Sequence, residues 1–145
     1  MATAAVPAEL AGNLCWLLSR SSQLLTGHLS GALHDLGFPA RTHQVLAAAA
    51  GGEHTQIELA RMVGLDKTTM VATIDQAERL GLAERRPSPT DRRVKVVVVT
   101  EAGRKKLAEA DVILDRLRDE TLDRLPEADR EAFVRSLARL AEPPG

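Results

Sequence analysis

The stretch from Thr55 to Arg93, TQIELARMVGLDKTTMVATIDQAERLGLAERRPSPTDRR, constrains the fold more than any other part of this 145-residue chain. In its first part Ile57, Leu59, Ala60 and Val63 carry the apolar positions of a short helix. Gly64 stands where that helix must stop, because glycine enters the left-handed region without a Cβ penalty. Leu65 re-enters the core, and Asp66 is suited to cap a second helix. There Met70, Ile74 and Ala77 recur at steps of four and three, which keeps one face inward. Thr68, Val71, Ala72 and Asp75 then point outward, a small and polar face with Lys67 beside it. Such a face fits a DNA major groove, since bulky side chains would hold the backbone away from the base edges. Gly81 ends the helix, Leu82 to Arg86 reads as a strand, and Val94 to Thr100 as its return across an arginine-rich Pro/Ser turn. The pattern predicts a helix-turn-helix followed by a wing.

Within it, Asp91, Arg93, Thr100 and Gly103 form the spaced pattern of an Asp, one residue, an Arg, then a Thr and a Gly a strand-length later. On these residues the run from Thr68 to Gly103 resembles the winged helix of the MarR family of bacterial transcriptional regulators. The resemblance extends over roughly Leu10 to Leu140. Ala77 departs from it, standing where the family usually carries a leucine, and implies a smaller plug beneath the second helix. The resemblance implies a mainly α (α+β) fold, a winged helix-turn-helix with amino- and carboxy-terminal dimerisation helices. It would form one domain over residues 1–145, with dimerisation helices at 9–36 and 101–141 and a DNA-binding lobe at about 41–100.

The flanking segments agree. Leu10, Leu14, Leu17, Leu18, Leu25, Leu29, Leu33 and Leu36 recur at helical steps and predict one helix of about 25 residues from Glu9 to Leu36. Gly27 and Gly31 within it suggest a bend or a close helix approach. A short helix is expected from about Arg41 to Ala50, and Thr55 with Glu58 makes a capping box. Beyond the wing, Leu107, Ala110, Leu114 and Leu117 predict a helix from Glu101 towards Leu125. Pro126 fits the first turn of a last helix holding Phe133, Leu137 and Leu140. Apolar stripes with so little local domain to cover them call for a partner, which argues for self-association. The resemblance implies a homodimer, and a two-fold dimer implies an inverted-repeat operator on double-stranded DNA.

The net charge is only −1, yet its distribution is uneven. Between Arg79 and Lys106 lie nine Lys/Arg and three Asp/Glu, about +6, which leaves about −7 elsewhere. A basic wing on an acidic body is an electrostatic footprint for DNA. Aromatic residues at 2% and no tyrosine argue against a stacking platform for single strands.

Arg93 at the wing tip is the expected minor-groove residue, with Asp91 orienting it and Arg92 beside it. Arg85, Arg86 and Lys95 are expected on phosphates. Lys67, Thr68, Thr69 and Val71 are the expected groove readers, and Thr55 and Gln56 the phosphate contacts of a helix N-terminus. Cys15 admits two readings. Its setting between Leu14 and Trp16 resembles the organic-hydroperoxide-sensing branch of the family, but that branch supports its thiolate with tyrosines, and no Lys or Arg lies within a turn of it. A lone helical cysteine is otherwise a small hydrophobe. Trp16, His28 and His43 are candidates for a pocket binding a small aromatic or phenolic effector of the kind the family takes.

No nucleophile–base arrangement, phosphate-cradling glycine loop or paired carboxylates mark an enzyme. The scattered histidines give no metal site, and no cofactor is expected. The segment MATAAVPAEL lacks the basic region and apolar run of a signal peptide, and no apolar stretch approaches a membrane span, so a cytoplasmic protein is expected.

Overall fold

A computed structural model describes residues 5–145, and residues 1–4 lie outside the described residues. A 3-10 turn at Ala8–Leu10 precedes α1 (Leu14–His34), α2 (Ala40–Ala50), α3 (Gln56–Val63) and α4 (Lys67–Arg79). Strands β1 (Ala83–Pro87) and β2 (Lys95–Val99) follow, then α5 (Glu101–Leu122) and α6 (Glu127–Ala141). The fold is mainly helical with one small antiparallel hairpin.

The first helix is shorter than its leucine spacing predicts. Asn13 takes the N-cap position, its side chain accepting from the Trp16 N–H at 2.9 Å, and this ends the helix against the 3-10 turn before it. Neither Gly27 nor Gly31 makes a close approach within the chain, since a Cβ at either would meet open space. Pro126 occupies the N-cap position of α6, one residue before its first turn.

The core joins α1, α2, α3, α4, the hairpin and α5. Leu33, Val45, Leu46, Leu59, Met70, Ile74, Ala77 and Ala110 are all fully excluded from water. Met70, Ile74 and Ala77 seat α4, as their spacing predicts, and Leu82, Ala83, Val97 and Val99 carry the core into the hairpin. Of Ile57, Leu59, Ala60 and Val63 on α3, Ile57 is the exception. It is 59% exposed, because the eight-residue helix α3 turns Leu59, Ala60 and Val63 inward and leaves Ile57 off that face. Helix α6 buries no residue at all. Among the described residues no helix is long and apolar enough to cross a membrane.

The hairpin pairs Ala83 with Val99 through to Pro87 with Lys95. A third strand-like contact completes it, the Val97 N–H donating to the His54 carbonyl at 2.9 Å. The sequence offered no signal for that bridge, which rests on one backbone position.

Candidate nucleic-acid interface

Two caps and one left-handed glycine set the angle between α3 and α4. Thr55 and Glu58 cap α3 reciprocally, Glu58 N–H to Thr55 Oγ1 at 3.2 Å and Thr55 N–H to Glu58 Oε2 at 2.7 Å. Those bonds hold the Glu58 carboxyl below its usual range, led by the Thr55 backbone N–H. Gly64 ends α3 at φ 71°, and Leu65 N–H reaches back to the Ala60 carbonyl. Asp66 then caps α4, accepting from Thr69 N–H at 2.8 Å and from the Thr69 hydroxyl at 2.6 Å, which lowers its carboxyl pKa.

Opposite the buried Met70, Ile74 and Ala77, the first turns of α4 expose Lys67, Thr68 and Ala72, with Val71 half-buried beside them. Thr69 is half-buried and its hydroxyl is committed to the Asp66 cap. Thr73, also a neighbour of this face, turns its hydroxyl back onto the Thr69 carbonyl at 2.7 Å. The face left for a groove is therefore short and nearly flat.

At the wing tip Asp91 and Arg93 form a fork, Nε to Oδ1 and Nη2 to Oδ2, both at 3.1 Å. Arg93 N–H adds a third bond to Asp91 Oδ1 at 3.0 Å. The arginine holds the Asp91 carboxyl below its usual range, yet its own side chain is 90% exposed. A guanidinium held at its base and free at its rim is presented to whatever lies beyond the wing. Arg92 is exposed beside it, and Ser88 and Thr90 close the turn, Thr90 N–H donating to Ser88 Oγ at 3.3 Å. Arg86 is exposed and pairs with the Glu84 carboxylate on the same strand.

Arg85, expected on a phosphate, is not presented in this way. Its guanidinium bonds Asp75 at 2.8 Å, the Glu78 carboxylate, and Gln56 Oε1 at 3.1 and 3.3 Å. Its backbone N–H also donates to Glu78 Oε1 at 2.8 Å. Asp75 and Glu78, three residues apart on α4, were the signal available in the sequence, for two acids on one helix face call for a cation nearby. Gln56 lies at the start of α3 with its carbonyl turned to Arg85, so its amide NH2 is left to donate elsewhere.

The three proposed pocket residues do not come together in the chain. Trp16 and His28 lie on one helix, roughly 18 Å apart by helical rise. His28 is exposed, and His43 is buried in α2. His43 stacks on Phe38 with ring centroids 6.3 Å apart, and no partner meets its Nε2. Burial lowers its pKa, partly offset by Asp111. None of the three lines the open cleft of about 530 Å³ that does exist between α1, α2 and α4, bordered by Ser30, Arg41, Thr42, Thr73 and Gln76. Cys15 is exposed on the first turn of α1, with no hydrogen bond to its thiol among the described residues. Nor do those residues include a His/Cys/Asp/Glu cluster suited to a metal.

A helix-turn-helix whose second helix shows a small polar face, beside a hairpin with an arginine at its tip, defines the winged helix-turn-helix class of transcriptional regulators. The model of the MarR family matches residues 36–94, from the end of α1 to the wing tip. Over the whole length the chain is similar to CouR from Rhodococcus jostii RHA1 bound to p-coumaroyl-CoA, at 28% identity and TM-score 0.84, covering 96% of this chain and 99% of that one. It is similar again to the transcriptional repressor CouR bound to a 23-mer DNA duplex, at 26% identity and TM-score 0.85, covering 97% and 100%. Bordetella bronchiseptica BpsR, whose DNA binding is regulated by 6-hydroxynicotinic acid, shares the fold at 22% identity and TM-score 0.82, covering 96% and 100%. The chain is thus similar to the MarR family of transcriptional regulators, in sequence over residues 36–94 and in fold over its whole length.

Proposed function

We infer that this protein is a homodimeric repressor that binds an inverted-repeat operator and leaves it when a small aromatic or phenolic-type effector binds. The observation that carries the reading is the wing: Asp91 anchors Arg93 by three bonds while the guanidinium remains exposed, on the same lobe as the open face of α4. In this reading residues of about 41–100 form the DNA-binding lobe. Lys67, Thr68 and Val71 lie against base edges and Arg93 enters the minor groove, with Arg92 beside it. Arg86, Gln56 and the N-terminus of α3 at Thr55 meet phosphates. Thr69 serves mainly as the partner of the Asp66 cap.

Self-association is supported by apolar side chains that the chain itself leaves uncovered. Leu14 and Leu18 on α1, Val112 on α5, and Phe133, Leu137 and Leu140 on α6 are between 40% and 64% exposed. A 15-residue helix that buries nothing has no tertiary support of its own, and an isolated helix of that length is marginal in water. Pairing these helices across a two-fold axis supplies the missing surface and places two copies of α4 about 34 Å apart.

Release is supported by the cleft between α1, α2 and α4. A ligand there touches both a flanking helix and the DNA-facing helix, so it favours one angle between them. CouR bound to p-coumaroyl-CoA supports an aromatic acid or its thioester as the effector class. The test is a fluorescence-anisotropy titration on duplex DNA from upstream of the protein's own gene. It is repeated with hydroxycinnamates, their CoA thioesters and an organic hydroperoxide, with Cys15→Ser as control. Displacement by an aromatic ligand, with wild type and Cys15→Ser responding alike to peroxide, supports the reading. Peroxide release of wild type alone transfers the sensing role to Cys15, whose thiol is exposed in the single chain.

A further inference from the structure

We propose that Arg85 is a positioning residue for DNA recognition, a latch that fixes α4 against the wing and against α3, rather than one of the cations that neutralise phosphate. The proposal rests on the DNA-binding reading above and deepens it. Arg85 stands on β1 and bonds groups from two other elements: Asp75 and Glu78 on α4, and Gln56 on α3. Its side chain is 23% exposed, against 58% for Arg86 and 90% for Arg93, so it is the most enclosed of the wing arginines that form ion pairs.

The geometry has three consequences for binding. First, Asp75 and Glu78 lie on the helix that faces DNA, where two free carboxylates oppose the phosphates, and the single guanidinium neutralises one of these two charges and holds both side chains back. Second, the bonds run from strand to helix, so the recognition helix cannot roll about its axis without breaking a charge-assisted pair. Third, the bond to Gln56 Oε1 sets which end of that amide faces outward, leaving the NH2 to donate towards a phosphate. The guanidinium holds its N–H donors in a rigid planar fork, and its three nitrogens serve these three acceptors. Lysine carries the same charge but not this geometry.

That difference supplies the test. The probes are a duplex selected by the full-length wild-type protein from a random library and a scrambled duplex of the same length. Arg85→Lys and Arg85→Met are compared with wild type as the salt concentration is varied. A phosphate contact survives the change to lysine, and the change to methionine lowers the salt slope by about one. The latch predicts that Arg85→Lys already loses about tenfold in preference for the selected duplex over the scrambled one. It also predicts a salt slope unchanged in both variants. Retained preference in Arg85→Lys, or a slope lowered by about one in Arg85→Met, overturns it. Amide hydrogen exchange on the DNA-free protein separates this outcome from the reading it rests on. Faster exchange at the Arg85 amide and along α4 in Arg85→Lys, with α2 unchanged, supports the latch, and unchanged exchange in α4 overturns it. A wild-type protein that selects no duplex at all counts against the DNA-binding reading, and the exchange result then decides the latch alone.

Discussion

A Cβ built on Gly103 would stand 2.0 Å from the carbonyl oxygen of Leu82 and 2.7 Å from a methyl of Val99. The start of α5 is therefore pressed onto the end of the recognition unit with no room for a side chain. Beside it Thr100 bonds in two directions, its hydroxyl donating to the Gly81 carbonyl at 2.6 Å and accepting from Gly103 N–H at 3.0 Å. The Thr and Gly of the wing motif thus clamp the root of the hairpin, while its Asp and Arg shape the tip. Because the atom in the way is backbone, Gly103→Ala is expected to destabilise the protein by about 1–3 kcal/mol, the range of overpacked sites. A drop in the urea midpoint at unchanged slope checks this, and an unchanged midpoint refutes the clamp.

Arg93→Ala removes the exposed rim of the wing without touching the core. Operator affinity is expected to fall by about 1–3 kcal/mol, the scale of one good groove contact. Thermal stability should barely move, since the side chain is 90% exposed. Anisotropy titration read together with a melting curve separates the two, and unchanged affinity would remove Arg93 from the interface.

How much of this was legible in the sequence depended on distance along the chain. The capping box of Thr55 and Glu58, the left-handed Gly64 and the Asp66 cap are set by residues within four positions of each other, and all three stand as their spacing indicated. The inward set of Met70, Ile74 and Ala77 followed from periodicity in the same way. What escaped was non-local. Arg85 meets Gln56 across 29 residues, a pairing that its neighbours in sequence do not announce. The Gly103 approach and the His54 bridge likewise join segments whose separation in sequence carries no signal. Ile57 is apolar yet 59% exposed, because helix periodicity over eight residues does not fix which of two adjacent faces turns inward.

His43 makes stability depend on pH near neutrality. Burial lowers its folded-state pKa below the ordinary 6.5, so the unfolded chain binds the proton more readily. Stability from this group is whole above about pH 6.5 and declines as the pH falls towards the folded-state value. Urea midpoints between pH 7.5 and 5 should fall for wild type and stay flatter for His43→Gln. The carboxylates of Asp66 and Asp91, also lowered, act in the same direction at lower pH, losing their contribution only as the pH falls below the usual carboxylate pKa. A wild-type midpoint that is level across the upper window contradicts the burial argument.

Charge placed on α6 should uncouple association from folding. Phe133 and Leu140 are 44% and 64% exposed in the single chain, so glutamate at both is expected to leave the DNA-binding lobe folded. Sedimentation should then shift from dimer to monomer at micromolar concentration, with loss of operator binding. A dimer that persists in this variant places the interface elsewhere.

The most direct test of the central claim is selection of binding sites by the wild-type protein from a random duplex library, with the stoichiometry of the resulting complex measured by mass. The account predicts an enriched inverted repeat whose half-site centres lie about 10 bp apart, bound by two chains per duplex. An absence of enrichment, or a lone half-site bound by one chain, would contradict it.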